Sequence, residues 1–332
     1  MRRALVIGIN EYENPAIADL GGCVGDATRI AEMLEANGDG SPNFDVRLLT
    51  SDKDDVSGSR LNAEMESLFE AKAEVALFYF AGHGLVVSNG HGHLIARNGK
   101  KGSWGIALTD LISMANNAHG KPIGSSIIIL DSCQSGAAAE APGILGSDVA
   151  AVGQGVIVLS ASHKEGFAEE VGGKGVFSSL VVEALRGTGA DILGNVTPAS
   201  VYSLVDQALG AWAQRPEFKA NVQGFVWLRK VPPRVPLETL RQLPVWFPDE
   251  TYLFPLDPSF EPDRNNVPEK YRHIPADEDN IRVFKQLQKC NRFGLIVPEG
   301  VEHMYDAAMD STGCKLTGLG AHYRQLALDK RY

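Results

Sequence analysis

The sequence predicts an α/β fold built on a mainly parallel sheet, with helices on both faces. Short aliphatic segments alternate with segments of helical periodicity over the first 230 residues, and strands separated by helices in this way form crossover units. Residues 125–130 are almost purely aliphatic and rich in β-branched side chains, as in a strand that is buried on both faces. Because this architecture supports many unrelated activities, function has to be inferred from particular residues.

The predicted elements follow one another in a regular order. Aliphatic or aromatic runs predict strands at 3–9, 43–50, 74–82, 125–130, 155–162 and 223–229. Amphipathic patterns predict helices at 24–38, 60–73, 108–118, 174–187 and 197–213. Open α/β sheets bind their ligands at the carboxyl ends of the strands, so the residues that follow these strands are the first candidates for a site.

The composition changes after residue 230. The 38 residues 231–268 contain nine prolines, which favours extended and turn conformations over regular elements. We therefore predict a large first domain at 1–230, a proline-rich connector at 231–268 and a small C-terminal domain at 269–332. The connector is expected to pack on the first domain through Trp246, Phe247, Tyr252 and Phe254. The C-terminal domain is predicted to be α-rich, with helices at 279–292 and near the end of 315–332, and it resembles winged-helix endings.

Charge and cysteine content exclude several classes of protein. The formal net charge is −10, with 41 acidic against 31 basic residues, which argues against a general nucleic-acid backbone binder. The four cysteines form no Cys-x-x-Cys pair, so we expect reduced thiols. The apolar run near the amino terminus is too short for a signal peptide, and no later run reaches membrane-spanning length. We expect a cytoplasmic protein without membrane contact.

Two polar motifs follow neighbouring predicted strands. Cys133, in LDSCQSG, comes just after the strand at 125–130, and His83, in FAGHG, emerges between two glycines after the strand at 74–82. Adjacent parallel strands end at one edge of a sheet, so thiol and imidazole could face each other there as nucleophile and base. Taken alone, Cys133 also fits a buried structural thiol.

Six segments in order resemble the caspase-like cysteine peptidases of the metacaspase and bacterial caspase-homologue type. They are ALVIGINEY, LGGCVGDA (20–27), FYFAGHG, IIILDSCQSG, LSASHKEGFAEE (159–170) and GVFSSLVVEAL (175–185), and they span roughly residues 3–229. Cys133 follows His83 by 50 residues, the histidine-to-cysteine spacing of caspases. In metacaspases a histidine usually follows the catalytic cysteine, whereas in this chain Gln134 follows Cys133.

The resemblance implies a caspase-like three-layer sandwich and a His83/Cys133 dyad. In the implied reaction the Cys133 thiolate attacks a peptide carbonyl and forms an acyl-enzyme, which water later hydrolyses. The oxyanion would accept hydrogen bonds from the backbone N–H groups of Gly84 and Cys133. The sequence identifies no third residue that orients His83.

The resemblance also maps the acidic residues of the metacaspase specificity pocket onto Asp26 and Asp131. Two carboxylates in one cleft would favour arginine or lysine before the cut. The alternative roles are a helix cap for Asp26 and a turn position for Asp131.

Activation without self-cleavage follows from that specificity. The segment 134–155, where such enzymes often cut themselves, contains neither lysine nor arginine, and Lys164 and Lys174 are the next basic residues. We therefore expect activation by a ligand or a regulatory protein that docks on the C-terminal domain. Similar bacterial fusions serve stress or antiviral defence, which the resemblance suggests for this chain.

The remaining candidates favour structural roles. His91 and His93 alternate like strand residues without ligand companions, and the acidic residues of 51–59 lack the spacing of a helix–loop–helix calcium site. We expect no metal or other cofactor, with calcium as the alternative because metacaspases often need it. We expect Cys23 to be a packed residue and not a reactive thiol, and we expect Cys290 and Cys314 to have no part in the chemistry.

Two function classes remain open. The first is an endopeptidase that cleaves a protein substrate, and the second is a catalytically silent scaffold or adaptor that binds a partner. The presence of both His83 and Cys133 favours the first class, since a scaffold needs neither.

Overall fold

The computed structural model of the chain describes residues 1–87, 91–120, 122–132, 152–161, 175–210, 215–263, 265 and 267–332. These residues form two compact units, Met1–Pro232 and Pro233–Tyr332. Within those ranges, every helix falls short of the length and apolar character that a bilayer crossing requires.

The first unit contains strands and helices in alternation. Its described strands are β1 (Arg2–Gly8), β2 (Asp45–Thr50), β3 (Ala73–Gly82), β4 (Gly84–Val86), β5 (Gly92–Lys100), β6 (Ser103–Ala107), β7 (Ile123–Ser132), β8 (Val156–Ser160), β9 (Asn195–Val196), β10 (Glu217–Asn221) and β11 (Arg229–Lys230). Its described helices are α1 (Cys23–Glu35), α2 (Gly58–Glu70), α3 (Leu108–Ala118), α4 (Val176–Glu183) and α5 (Pro198–Leu209). A π-helical turn, Ala184–Thr188, follows α4 directly.

The central sheet has the strand order β10-β8-β7-β3-β1-β2. Every pairing in it is parallel except that of β10 with β8. The predicted mainly parallel sheet is therefore confirmed, and β3 and β7 are neighbours. Their carboxyl ends lie at one edge, where crossover connections place polar loop residues.

Side-chain alternation along the strands builds a core on each face of the sheet. Phe78 and Phe80 of β3 point to the face covered by α2 and α3, whereas Leu77 and Tyr79 point to the face covered by α1 and α4. All four side chains are completely buried. Since successive residues of a strand face opposite ways, a purely apolar strand needs both helical layers. The three layers are those of the predicted sandwich.

The small sheet β4-β5-β6 grows directly out of the end of β3. β4 begins two residues after Gly82, and its partner β5 pairs in turn with β6. These strands were not predicted from the sequence. They matter for function because they fix the backbone on the far side of His83.

The last predicted strand of the first domain, 223–229, is wrong. The strand that completes the sheet is β10, whose weak EFKAN pattern pairs with β8. Trp227 serves a different purpose, since the Arg2 guanidinium lies 3.6 Å from its ring centroid and donates to its carbonyl. This cation–π contact accounts for Trp227, whereas Phe225 in the same run is 68% exposed.

The second unit combines short helices with a small antiparallel sheet. Its helices are α6 (Leu237–Leu240), α7 (Leu243–Trp246), α8 (Glu278–Arg292), α9 (Met304–Met309) and α10 (Gly318–Leu328), with 3₁₀ turns at Pro258–Phe260 and Glu269–Tyr271. Its strands are β12 (Phe254–Pro255), β13 (Ile296–Pro298) and β14 (Gly313–Leu316), in the order β12-β14-β13.

The proline-rich residues 233–268 belong to this second unit. They contain the short helices α6 and α7, so the expectation that proline excludes regular elements there is too strong. Proline fits the first turn of a helix, where its missing N–H costs nothing, and Pro244 is at such a position in α7. Aromatic rings then run from Phe247 through Phe254 and Phe260 to Phe284, with centroids 5.9–6.3 Å apart.

Candidate active site

The parallel pairing of β3 with β7 sets the position of the site. The register pairs Ala81 with Asp131 and Gly82 with Ser132, and these are the last paired residues of the two strands. His83 follows Gly82 in the sequence, as Cys133 follows Ser132. Cys133 itself lies outside the described residues.

His83 is held on its backbone and on its ring. Its N–H donates to the Tyr12 hydroxyl at 2.9 Å, and its carbonyl accepts from Ile95 N–H at 2.9 Å. The Tyr12 and His83 ring centroids are 5.0 Å apart. Gly82 allows this close approach, because a Cβ there would lie 2.9 Å from the Tyr12 hydroxyl. The half-exposed imidazole therefore has a defined orientation.

The hydrogen bond between His83 Nε2 and the Ala18 carbonyl fixes the tautomer. The two atoms are 2.8 Å apart, and a carbonyl oxygen can only accept, so Nε2 carries the hydrogen. In the neutral ring Nδ1 is then the nitrogen that can accept a proton. No residue that orients His83 is identifiable in the sequence. A backbone carbonyl has no sequence signature, although Tyr12 is part of the ALVIGINEY motif.

Tyr12 and Ala18, the two residues that bond to His83, both lie in the loop between β1 and α1. Tyr12 N–H donates to Asp19 Oδ1 at 2.9 Å, and Leu20 N–H donates to the Asn10 carbonyl at 2.8 Å. These bonds close the loop on itself. The Ala18 carbonyl is thereby presented to the imidazole by a structured segment.

Asp26 and Asp131 lie together on the α1 face of the sheet. Asp131 shares a face with Ile127 and Ile129, which pack against α1, and Asp26 is in the first turn of that helix. Their exposed fractions are only 2% and 7%. A Cβ built on Gly175 would lie 2.9 Å from Asp26 Oδ2 and 3.0 Å from Asp131 Oδ2, so both carboxylates border the same point.

Each of these carboxylates already accepts hydrogen bonds from the chain. Arg29, one turn along α1, forms an ion pair with Asp26, and Gly175 N–H donates to Asp26 Oδ2 at 3.0 Å. Ser178 donates its hydroxyl hydrogen to Asp131. Buried charges need such partners, because an unpaired carboxylate would be strongly destabilising.

Tyr79 extends this network into the core. Its hydroxyl is 2.6 Å from Ser178 Oγ, and since Ser178 gives its hydrogen to Asp131, Tyr79 donates to Ser178. Burial, together with the charges of Asp131 and Asp26, raises the pKa of Tyr79 well above its usual value. The phenol therefore stays protonated as a donor.

The other candidate residues lie apart from this edge or have structural surroundings. Cys23 is the half-buried first residue of α1. Cys290 and Cys314 are fully buried in the second unit, and burial raises the pKa of each thiol to about 12. Thiols with such a pKa are protonated and unreactive at neutral pH.

No group of three metal-ligating side chains gathers anywhere in the described ranges. In the acidic loop, Asp54 accepts from Thr50 N–H at 3.0 Å, and Asp55 accepts from Ser57 N–H at 2.9 Å. These carboxylates shape turns. His93 lies on β5 opposite Leu85 and Ala107, and burial lowers its pKa.

Comparison with known proteins gives one family and a set of structures. The family model of the caspase domain matches residues 1–224. Protein GSU0716 from Geobacter sulfurreducens has a similar structure, with a TM-score of 0.50 and 14% identity over 70% of this chain and 97% of its own. Caspase-1 from Spodoptera frugiperda has a TM-score of 0.49 and 13% identity over 69% and 90% of the two chains. No curated protein matches this sequence.

Proposed function

The chain belongs to the caspase-domain family, and from this premise we propose that it is a cysteine endopeptidase with His83 and Cys133 as its dyad. The observation that carries the proposal is the register of β3 and β7, in which Gly82 pairs with Ser132. The next residue along each strand is a member of the proposed dyad. The tautomer of His83 adds support, since Nδ1 is the acceptor nitrogen.

The proposed reaction begins with proton transfer. His83 Nδ1 takes the proton of the Cys133 thiol, and the thiolate attacks the carbonyl carbon of the scissile peptide bond. The C–N bond then breaks, and the imidazolium gives its proton to the leaving amine. In the second half, Nδ1 takes a proton from water and the hydroxide attacks the carbonyl carbon of the thioester. The C–S bond then breaks, the imidazolium returns its proton to the Cys133 sulfur, and the carboxylic acid product leaves.

The backbone N–H groups of Gly84 and Cys133 are proposed to stabilise the oxyanion. Support comes from the pairing of β4 with β5, in which Gly84 is opposite Leu94 and Ile95 N–H donates to the His83 carbonyl. Gly84 is therefore at a non-hydrogen-bonded position of the ladder. Its N–H is not used by β5 and is available to a substrate oxygen.

The proposed specificity is for arginine or lysine before the cut. Asp26 and Asp131 border one point beside Gly175, and two carboxylates favour a cation and repel an acidic side chain. A substrate guanidinium would bind Asp26 together with Arg29, or would displace Arg29 from Asp26. Arginine gains further from bidentate geometry.

We further propose that a ligand or a regulatory protein activates the enzyme. The segment 134–155, of which residues 134–151 lie outside the described ranges, contains no lysine or arginine, so an enzyme of this specificity would not cut itself there. The second unit is the proposed docking site for a regulator, and a bacterial stress or antiviral defence pathway is the proposed setting. An active enzyme split between 134 and 155 would contradict this activation scheme.

Fluorogenic peptides test the function. Three peptides that end in arginine, lysine or aspartate are incubated with the wild type and with Cys133→Ala, in calcium and in chelator. We expect turnover of the arginine and lysine peptides only, abolished by Cys133→Ala. Equal turnover by Cys133→Ala refutes the dyad. No wild-type turnover in any arm, with the regulator present, favours a catalytically silent scaffold.

A further inference from the structure

The second unit contains a polar groove that is separate from the residues discussed so far. It lies between α8 and the start of α9 and has a volume of about 650 Å³. Among the described residues that line it, four carry basic groups, namely Lys285, Lys289, Arg292 and His303, and none is an aspartate or glutamate. The volume is within the range of small-molecule sites.

Helical geometry gathers the cations on one side of α8. Lys285, Lys289 and Arg292 are spaced at i, i+4 and i+7 and are all exposed, so they form one stripe about 10 Å long. The opposite side of the helix is anchored by Phe284, Leu287 and Cys290, which are buried. The stripe is therefore held in place by packing.

The lysine and arginine side chains of the groove stand in no ion pair with the residues that the structure describes. Two other basic residues of the same unit are paired, Arg282 with Asp279 and Lys315 with Glu299. Within the described part of the chain, no ion pair involves Lys285, Lys289 or Arg292. Like charges at i and i+4 repel each other, and the chain as a whole has a net charge of −10. An external anion would relieve that repulsion.

We propose that this groove binds a small ligand that carries an oligophosphate group. A short chain of phosphates concentrates several negative charges in a few ångströms, which suits a groove lined by Lys285, Lys289 and Arg292, with His303 as a further hydrogen-bond donor. Only every second side chain of an extended acidic peptide faces the same side, so a peptide brings fewer negative charges into the same length of groove than a phosphate chain does. Lysine and arginine are the usual donors to phosphate oxygens.

The groove also has room for an organic part of the ligand. Met304 and Tyr305 form its wall at the start of α9, and an aromatic ring can stack on a flat heterocycle. Nucleotides and inorganic oligophosphates share the phosphate chemistry. They differ because only a nucleotide has a base that could contact Met304 and Tyr305.

Direct binding measurements on the full chain test the proposal. Calorimetry is performed with tripolyphosphate, ATP, adenosine and a DNA duplex of about 20 base pairs. The test variant is Lys285→Gln/Lys289→Gln, and the control is Arg282→Gln/Lys315→Gln, which removes the same charge outside the groove. Arg292→Gln is a second test variant, and circular dichroism verifies that each protein is folded.

We expect tripolyphosphate or ATP to bind, more weakly as salt increases, and adenosine not to bind. The test variant should weaken binding by about tenfold or more, since two charge-assisted hydrogen bonds are lost, and the control by less than about twofold. Tighter binding of ATP than of tripolyphosphate identifies a nucleotide, and the reverse identifies an inorganic oligophosphate. The proposal is overturned if neither phosphate probe binds, if the test variants bind like the wild type, or if the duplex binds more tightly than both.

Discussion

The substitution Gly175→Ala would place a methyl group between two buried carboxylates. Its Cβ would lie 2.9 Å from Asp26 Oδ2 and 3.0 Å from Asp131 Oδ2, closer than non-bonded carbon and oxygen atoms tolerate. The backbone of Gly175, at φ −64° and ψ 131°, is one that alanine adopts readily. We therefore expect Gly175→Ala to lose stability through the steric contact alone.

The size of the stability loss depends on how firmly the carboxylate oxygens of Asp26 and Asp131 are held. Asp26 is fixed by Arg29 and by the Gly175 N–H, and Asp131 by Ser178, so neither can move without losing a hydrogen bond. Overpacking at such sites costs about 1–3 kcal/mol. In a domain of this size, each kcal/mol lowers the unfolding midpoint by about 2–4 °C. Displaced carboxylates should also reduce kcat/KM for an arginine peptide.

The assay compares thermal and urea unfolding of the wild type, Gly175→Ala and Gly25→Ala. Gly25 immediately precedes Asp26 in α1, and nothing lies within 4 Å of a Cβ there. The control should be neutral or more stable, because alanine is favoured over glycine in a helix by about 0.5–1 kcal/mol. Wild-type stability of Gly175→Ala would refute the described arrangement of the carboxylates.

Three further changes probe the network and the thiols. Ser178→Ala removes a donor to a buried carboxylate, so the free energy of unfolding should fall by about 1–3 kcal/mol in urea denaturation. Tyr12→Phe keeps the ring but leaves the backbone N–H of His83 without its acceptor, and we expect kcat for an arginine peptide to fall about threefold to tenfold with KM unchanged. Because burial raises the pKa of Cys290 and Cys314 from 9.0 to about 12, their stabilising effect is complete below pH 9. The free energy of unfolding should then decrease as pH rises from 9 towards 12.

Matched variants separate these effects from general damage. Ser179→Ala removes a neighbouring hydroxyl that is not fully buried, and a loss of stability as large as that of Ser178→Ala would contradict the role of Ser178 as the donor to Asp131. Tyr252→Phe is the control for Tyr12→Phe, since Tyr252 is exposed. For the thiols, fast native labelling of Cys290 or Cys314 by iodoacetamide at pH 8 would contradict their burial.

Much of the fold could be predicted because hydrophobic pattern determines it locally. The aliphatic runs at β1, β3 and β7 have to be buried on both faces, and helices between them enforce parallel neighbours. The strand β10 was missed because EFKAN at a sheet edge needs little apolar character. In GFVW the Trp227 ring packs on Arg2 and Phe225 is exposed, so an apolar run does not by itself predict strand pairing.

The candidate side chains of the site could be predicted from the sequence, but the groups that hold them in place could not. His83, Asp26 and Asp131 stand in recognisable motifs, and the position of two of them follows from strand ends. The bond from His83 to the Ala18 carbonyl could not be predicted, because any residue supplies a carbonyl and its position depends on the fold of a loop. Likewise, the Arg29 and Ser178 partners of the carboxylates depend on how α1 and α4 pack.

The most direct test of the account is covalent trapping with a peptide chloromethyl ketone that ends in arginine, followed by mass spectrometric mapping. The account predicts one adduct, on Cys133, absent in Cys133→Ala and formed far more slowly in His83→Ala. Labelling at Cys23 instead, or at Cys133 with an unchanged rate in His83→Ala, would contradict the dyad.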